Sequence, residues 1–449
     1  MSDWREDLRK LLAPGRLSTR PADLDAAAAD ESTLPGRRPD AVVWPESTEE
    51  VATVVRFACA RGIPVTPRGA GTSLEGNPIP LEGGIVVDFA RMRSILELEP
   101  GDLTVRVEPG VVYAELNAAL RHHGLFFPPH PGGSADTATV GGMLANNASG
   151  IYALGYGATR DYVRAVTVVV GTGEVVRLGS PCRKTSSGYH LVGLLVGSEG
   201  TLGLVTEITL ALAPLPRSRK QAAFVFADEQ KATAALSEML RYGLDLAAAE
   251  FLDRRSVRAL GSFLGKPFPQ AALLLLELHG IPALVEETAS SAESLAAEHG
   301  GEAAEGPESL WAAREHVTRA IQATRPGGRM VRADLALPVS RVPEMVERAY
   351  ALAQETGLEL FAFGHLGLGI VHLLAPLGPG DSREGAERLK DRLVEEALSR
   401  RGSVSGEHGL GFGNRKYAAR EHGPSLALMR AIKSVFDPKG ILNPGKLWE

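Results

Sequence analysis

An α+β protein of two domains is predicted by three features of this sequence. The first half runs as short β-rich stretches broken by Gly and Pro. The second half alternates strand and helix with a regular rhythm, and a Pro-containing stretch, Ala211-Leu-Ala-Pro-Leu-Pro-Arg217, joins the two. At 449 residues the chain has room for roughly two or three domains.

In the first half, strands are expected at Ala41–Val43, Pro64–Thr66, Ile85–Phe89 and Thr104–Val107. Val166–Val170 and Glu174–Leu178 flank Gly171-Thr-Gly and are expected to form a hairpin. Helical spacing marks 49–61 and 112–123, each closed by a glycine, Gly62 and Gly124. Residues 128–157 form an irregular Gly-rich centre. Beyond the linker, strands at Ala222–Phe226 and Ala271–Leu278 precede helices at 229–242 and 283–299. A helix at 309–323, a strand at 330–338, a helix at 342–355 and a strand at 358–363 follow. This alternation predicts helices on one face of an antiparallel sheet. The tail, Phe436-Asp-Pro-Lys-Gly-Ile-Leu-Asn-Pro-Gly-Lys446, is too rich in turn formers for regular structure and reads as an ordered docking loop.

Composition narrows the function. A net charge of -6 without a basic cluster gives no footprint for nucleic acid. Two cysteines, Cys59 and Cys182, are too few for a disulfide framework or for an iron–sulfur cluster held by this chain alone. No apolar run is long enough for a transmembrane segment, and the residues after Met1 are polar and acidic. A cytoplasmic location follows as the expectation, with peripheral contact to the inner face of a membrane left open.

Three Gly-rich segments carry the chemistry of the first half. Pro67-Arg-Gly-Ala-Gly-Thr-Ser73 directly follows a strand, and its small residues would let backbone N–H groups close around an anion. Alone it reads equally as a tight loop. The stretch from Pro128 to Gly150 is dense in Gly, Ala, Ser and Asn, which suits the wrapping of a flat ligand, while Val140, Met143 and Leu144 argue that it is buried. Gly197-Ser-Glu-Gly-Thr-Leu-Gly203 leads into a strand.

These segments, with Tyr156-Gly-Ala-Thr-Arg-Asp161 and Lys184-Thr-Ser-Ser-Gly-Tyr189 between them, closely resemble the vanillyl-alcohol oxidase / p-cresol methylhydroxylase flavoprotein superfamily. Within it the match is to the branch of D-lactate, glycolate and D-2-hydroxyglutarate dehydrogenases. The resemblance implies a two-domain flavoprotein: a PCMH-type FAD-binding domain over 1–215, a substrate-binding cap over 216–420, and a segment 421–449 returning to the FAD domain. It implies that Arg68, Gly69, Ala70, Gly71, Thr72 and Ser73 hold the FAD pyrophosphate. Ser134, Thr139, Gly141, Gly142, Asn146, Ser149 and Gly150 would line the isoalloxazine and ribityl chain, Glu199 and Gly200 the adenosine side, and Asn443 would reach back towards the flavin. Thr72 stands where relatives with covalent FAD carry His, so non-covalent FAD is expected.

In the second half, Phe363-Gly-His-Leu-Gly-Leu-Gly-Ile-Val-His372 sets two histidines across a Gly-rich turn, and Ser405-Gly-Glu-His-Gly-Leu-Gly411 puts a carboxylate beside a third. Two imidazoles and a carboxylate suit Zn²⁺ or another divalent ion. The resemblance implies His365, His372 and Glu407 as ligands and His408 as the base in the oxidation of a D-2-hydroxy acid. Arg314 and Thr318, one helical turn apart, and Arg332 match substrate-contacting positions. The family's motif carries polar residues where this chain has Leu368, Ile370 and Leu374, which argues against dicarboxylate substrates. The expected electron acceptor is a quinone, a cytochrome, an electron-transfer flavoprotein or an iron–sulfur partner subunit, and the resemblance implies a homodimer. Two further readings stay open: a flavin subunit of a multi-chain glycolate oxidase complex, and an enzyme like alkyldihydroxyacetonephosphate synthase.

Overall fold

A computed structural model describes residues 3–448; Met1, Ser2 and Glu449 lie outside the described residues. The chain forms two compact units. The first comprises 3–149, 158–215 and 408–448; the second comprises 150–157 and 216–407. This differs from the expected division in two places. Residues 150–157 leave the first half to join the second unit, and the return to the first unit begins at His408 rather than at 421.

The first unit is built on two sheets with a helix between them. In the smaller sheet Ala41–Val43 and Val65–Arg68 both pair in parallel with Ile85–Asp88, and Leu17–Ser18 adds an antiparallel edge. The larger is antiparallel, in the order Ile95–Glu99, Thr104–Val107, Leu204–Ala211, Val163–Val169, Val175–Gly179. The helix Thr48–Arg61 starts on Ser47, whose side chain accepts the Glu50 N–H, and ends on Gly62 in the left-handed region. Its apolar residues Val51, Val54, Val55 and Phe57 pack with Val43, Val65 and Ile85 of one sheet and with Val169 and Leu204 of the other. The tail docks on this unit: Val65 N–H donates to Ile441 O at 2.8 Å and Asn443 N–H to Val65 O at 2.7 Å.

The second unit is a seven-stranded antiparallel sheet. Its order is Gly301–Ala303, Ser218–Phe226, Ala272–Gly280, Ala248–Leu252, Phe361–Gly364, Ile370–Pro376, Met330–Ala336. Helices cover both faces, not one. Glu229–Arg241, Pro282–Glu298, Val342–Thr356 and Arg383–Ser399 pack on one side. On the other, Val257 and Leu260 of Arg254–Leu264, Trp311 of Pro307–Arg314 and Ile321 of Val317–Ala323 bury Leu252, Leu275, Phe361, Phe363 and Leu374. Strand side chains alternate between faces. The apolar Leu273-Leu-Leu-Leu276 run therefore divides its residues between two helical layers.

Candidate active site

A group of polar side chains gathers at the Met330–Ala336 side of this sheet. Register puts them together. Asp334 lies opposite His372, and His372 opposite Phe363; one step along, Arg332 lies opposite Leu374 and Leu374 opposite Phe361. Cross-strand partners share a face, so Arg332, Asp334, Ile370, His372 and Leu374 all look the same way. His365 enters from the turn before this strand. The chain reverses through Leu366–Leu368 and Gly369, whose φ is +79° and where a Cβ would overlap Leu337 O. Only glycine fits there.

His365 and His372 are both buried and their rings meet edge-on, with centroids 5.3 Å apart. Their Nε2 atoms face one oxygen of Glu407, at 3.6 and 3.5 Å. The three candidate ligand atoms lie within 4.8 Å of one another. Behind each imidazole stands a carboxylate: Glu250 contacts His365 Nδ1, and Asp334 Oδ1 lies 3.1 Å from His372 Nδ1. Asp334 also fixes Glu407, accepting its backbone N–H at 2.8 Å, and the Gly150 N–H donates to the other Glu407 oxygen at 3.1 Å. Residues 150–157 thus help to aim Glu407. They are held in turn by Leu154 packed on Gly367 and by Tyr152, whose hydroxyl donates to Glu277 at 3.1 Å.

Arg314 does not stand where a substrate carboxylate alone would claim it. Its Nε donates to the fully buried Glu250 at 2.6 Å, and its guanidinium lies over the Phe363 ring. Thr318 is separated from it: the expected single helix is broken at Glu315 and His316, and Thr318 is exposed while Val317, Ala320 and Ile321 turn inward.

In the first unit the three Gly-rich segments converge. A Cβ on Gly69 would overlap Thr139 Oγ1, and one on Gly200 would overlap Pro67. Glu199 N–H donates to Ala145 O at 2.9 Å. Thr139 caps the short helix Val140–Asn146, accepting the Gly142 N–H, and Gly141 sits against Pro109. Ser134 ends a short turn, Gly132–Ser134, beside open space at Gly132 and Gly133. Ser149 is buried and Gly150 follows it out of this unit. Two residues expected at the cofactor are otherwise engaged. The Glu199 carboxylate accepts the N–H groups of Leu410 and Gly411, and Asn443 Nδ2 donates to Asn77 O and Glu199 O.

The family described as "FAD linked oxidases, C-terminal domain" matches residues 215–447, and "FAD binding domain" matches 39–179. The chain belongs to the FAD-linked oxidases. Among its relatives, a protein named D-lactate dehydrogenase from Anaerostipes hadrus is 34% identical over 98% of this chain and 96% of its own length. One from Arabidopsis thaliana, "D-lactate dehydrogenase [cytochrome], mitochondrial", is 36% identical over 91% of this chain and 73% of its own length. The glycolate oxidase subunit GlcD of Bacillus subtilis is 31% identical over 99% and 97%. The fold is also that of p-cresol methylhydroxylase, with a TM-score of 0.81 at 17% identity over 99% of this chain and 96% of that one. The protein is an FAD-dependent oxidoreductase.

Both sites of this FAD-linked oxidase suit the groups they would hold. At the first, Arg68 ends the parallel strand Val65–Arg68 and folds over Gly71. Burial lowers its pKa, and Asp88 and Asp30 only partly offset this. A desolvated guanidinium beside a loop of glycines fits a pyrophosphate. At the second, burial works against charge on the His365 ring, yet Glu250 and Glu407 outweigh it and raise its pKa to about 10. The same neighbours favour a divalent ion held by the two imidazoles and Glu407. Carboxylates behind both histidines are the usual supports of metal-binding imidazoles. Glu250 and Asp334 were absent from the residues singled out in the sequence. The only signal for Asp334 was its place two residues after Arg332 in a strand; Glu250, in Ala248-Ala-Glu-Phe-Leu252, was a lone acid in an apolar strand.

Proposed function

We propose that this FAD-linked oxidase oxidises a short D-2-hydroxy monocarboxylate, D-lactate foremost and glycolate next, to the 2-oxo acid. The observation that carries the reading is the group formed by His365, His372 and Glu407, with Glu250 and Asp334 behind the imidazoles. Relatives named D-lactate dehydrogenase and glycolate oxidase subunit support it.

FAD, when bound, accepts the C2 hydride, and a divalent ion at the three ligands would polarise the 2-hydroxyl oxygen. His408 takes the hydroxyl proton as C2 gives up its hydride, so two electrons and one proton leave with the hydride and C2 becomes a carbonyl carbon. Arg332 is assigned to the substrate carboxylate because it shares a strand face with Asp334 and His372. A guanidinium can grip a carboxylate with two parallel N–H bonds. Ile370 and Leu374 lie on that same face and are buried, so the surroundings suit hydrogen or methyl at C2 better than a second carboxylate. FAD is assigned to Arg68 through Ser73, Ser134, Thr139, Gly141, Gly142, Asn146, Ser149 and Gly200.

The electrons then pass to a separate acceptor, a quinone or a redox protein; Cys59 and Cys182 are single free thiols and cannot hold a cluster. No helix among the described residues is long and apolar enough to cross a membrane. The test is anaerobic titration of the flavin-loaded protein with D-lactate, glycolate and D-2-hydroxyglutarate. Bleaching of the oxidised flavin band is expected fastest with D-lactate. A flavin that bleaches with D-2-hydroxyglutarate in preference to both small acids would refute the substrate assignment, and one that none of them reduces would refute the reaction.

A further inference from the structure

His408 is the proton acceptor in the reading above, so whatever holds its turn governs the geometry of proton transfer. That turn is held by a buried carboxylate. The backbone N–H groups of Leu410 and Gly411 each donate to Glu199 at 2.8 Å, one to each oxygen. Asn77 Nδ2 donates to the second oxygen at 2.6 Å, and Asn77 Oδ1 accepts from Ser73 Oγ, at the end of the Gly-rich loop. Three of the four acceptor positions on the carboxylate are thereby filled within the protein.

The carboxylate is itself immobilised. Glu199 is 4% exposed, and its backbone adopts a left-handed φ of +53°. Its N–H is spent on Ala145 O, and its carbonyl accepts Asn443 Nδ2 at 2.7 Å. Lys446 closes the far side by donating to Asn443 Oδ1 at 3.0 Å and to Ile79 O at 2.6 Å. The approach of the turn to Glu199 depends on glycine, because a Cβ on Gly409 would lie 2.5 Å from Glu199 Oε1 in a residue with φ of +83°.

We propose that Glu199 is a positioning residue for His408, and that through Asn77 and Ser73 it ties the His408 turn to the loop that takes the cofactor's pyrophosphate. The proposal rests on His408 as the base. It replaces a direct role for the Glu199 carboxylate at the cofactor with one at the proton-transfer step.

The test uses Glu199→Gln in the full flavin-loaded chain, with D-lactate as the probe. Glutamine keeps one acceptor oxygen and turns an N–H₂ group onto N–H groups that had a partner. Bound flavin per chain should be unchanged and KM little altered, while flavin reduction slows on the order of tenfold to a hundredfold, as expected for a misplaced base. Amide exchange across 408–414 should quicken. Combining Glu199→Gln with His408→Ala should be no slower than His408→Ala alone, because both act at one step. Loss of flavin with a normal rate once flavin is restored would overturn the proposal, as would defects that multiply in the double variant. If His408→Ala reduces flavin at the normal rate, the base assignment fails on its own. Exchange at 408–414 then still decides whether Glu199 holds the turn: quickened exchange upholds it and unchanged exchange overturns it. Should Glu199→Gln fail to fold, Gly409→Ala, which drives a Cβ against the carboxylate, is expected to give the same slowing; an undisturbed Gly409→Ala would overturn the proposal.

Discussion

The carboxylate of Glu277 should account for a measurable share of acid stability, because almost every bond it makes needs its charge. It is buried at the Ala272–Gly280 strand and accepts from Arg219 Nε at 3.1 Å and Nη2 at 2.5 Å, Gln221 Nε2 at 2.9 Å and Tyr152 Oη at 3.1 Å. His279 Nε2 lies 2.6 Å away. Burial alone would push its pKa up, but His279, Gln221 and Arg219 more than reverse this and bring it from 4.5 down to about 2. At about 1.4 kcal/mol for each pKa unit, that lowering corresponds to roughly 3 kcal/mol of stability. A carboxyl whose folded pKa is depressed contributes its stability above the unfolded value and loses it as pH falls towards the folded one. The contribution should therefore be complete at pH 7 and fall to about 1.4 kcal/mol near pH 3. Glu277→Gln removes the charge at every pH. Urea unfolding of both proteins should give a gap that narrows by about 2 kcal/mol between pH 7 and pH 3. At pH 7, amide exchange of 150–157 should also quicken in the variant, since Tyr152 loses a charged partner. A gap of the same size at both pH values would show that the carboxylate's ionisation is not what holds this network.

Two further outcomes follow from the same structure. Glu250→Ala leaves the half-buried Arg314 without its carboxylate and should cost about 3 kcal/mol, whereas the double variant Glu250→Ala/Arg314→Leu should recover part of that loss; thermal unfolding with the flavin bound measures both. With Thr72 at the position where a histidine would tether it, FAD should appear in the supernatant after acid precipitation of the protein; yellow colour staying with the pellet would contradict this.

The parts of this fold that were legible in the sequence are those that repeat a local rule. Thr48–Arg61 announced itself by apolar spacing and a closing Gly62, and the structure moves its start by one residue from the expected 49, onto the Ser47 cap. The histidines and Glu407 stood out because ligand-type residues sat among glycines that had no other evident purpose. What the sequence concealed depends on register between distant strands. Nothing local tells that Asp334 will face His372, or that Glu250 will reach His365, because each pairing is made by a sheet closing over many residues of intervening chain. The partner of Arg314 was concealed for a related reason. Glu250 is 64 residues away, so no local pattern pairs the two. The short helix Val140–Asn146 was hidden by its glycines, although Thr139 and the spacing of Val140, Met143 and Leu144 are ordinary helix signals.

The return of the chain to its first unit has a consequence for biosynthesis. Ile441 and Leu442 belong to the same apolar core as Val51, Val65 and Ile85, and the Val65 N–H donates to the distant Ile441 O while the Val65 carbonyl accepts the Asn443 N–H. A ribosome releases Val65 hundreds of residues before Ile441. Residues 216–407 can therefore fold around their own sheet while the strand leading into the loop at Gly69 still lacks its last neighbour. A chain stalled or clipped before residue 441 would carry a finished second unit and an unfinished first one, and the loop at Gly69 would be among the last parts of the protein to mature.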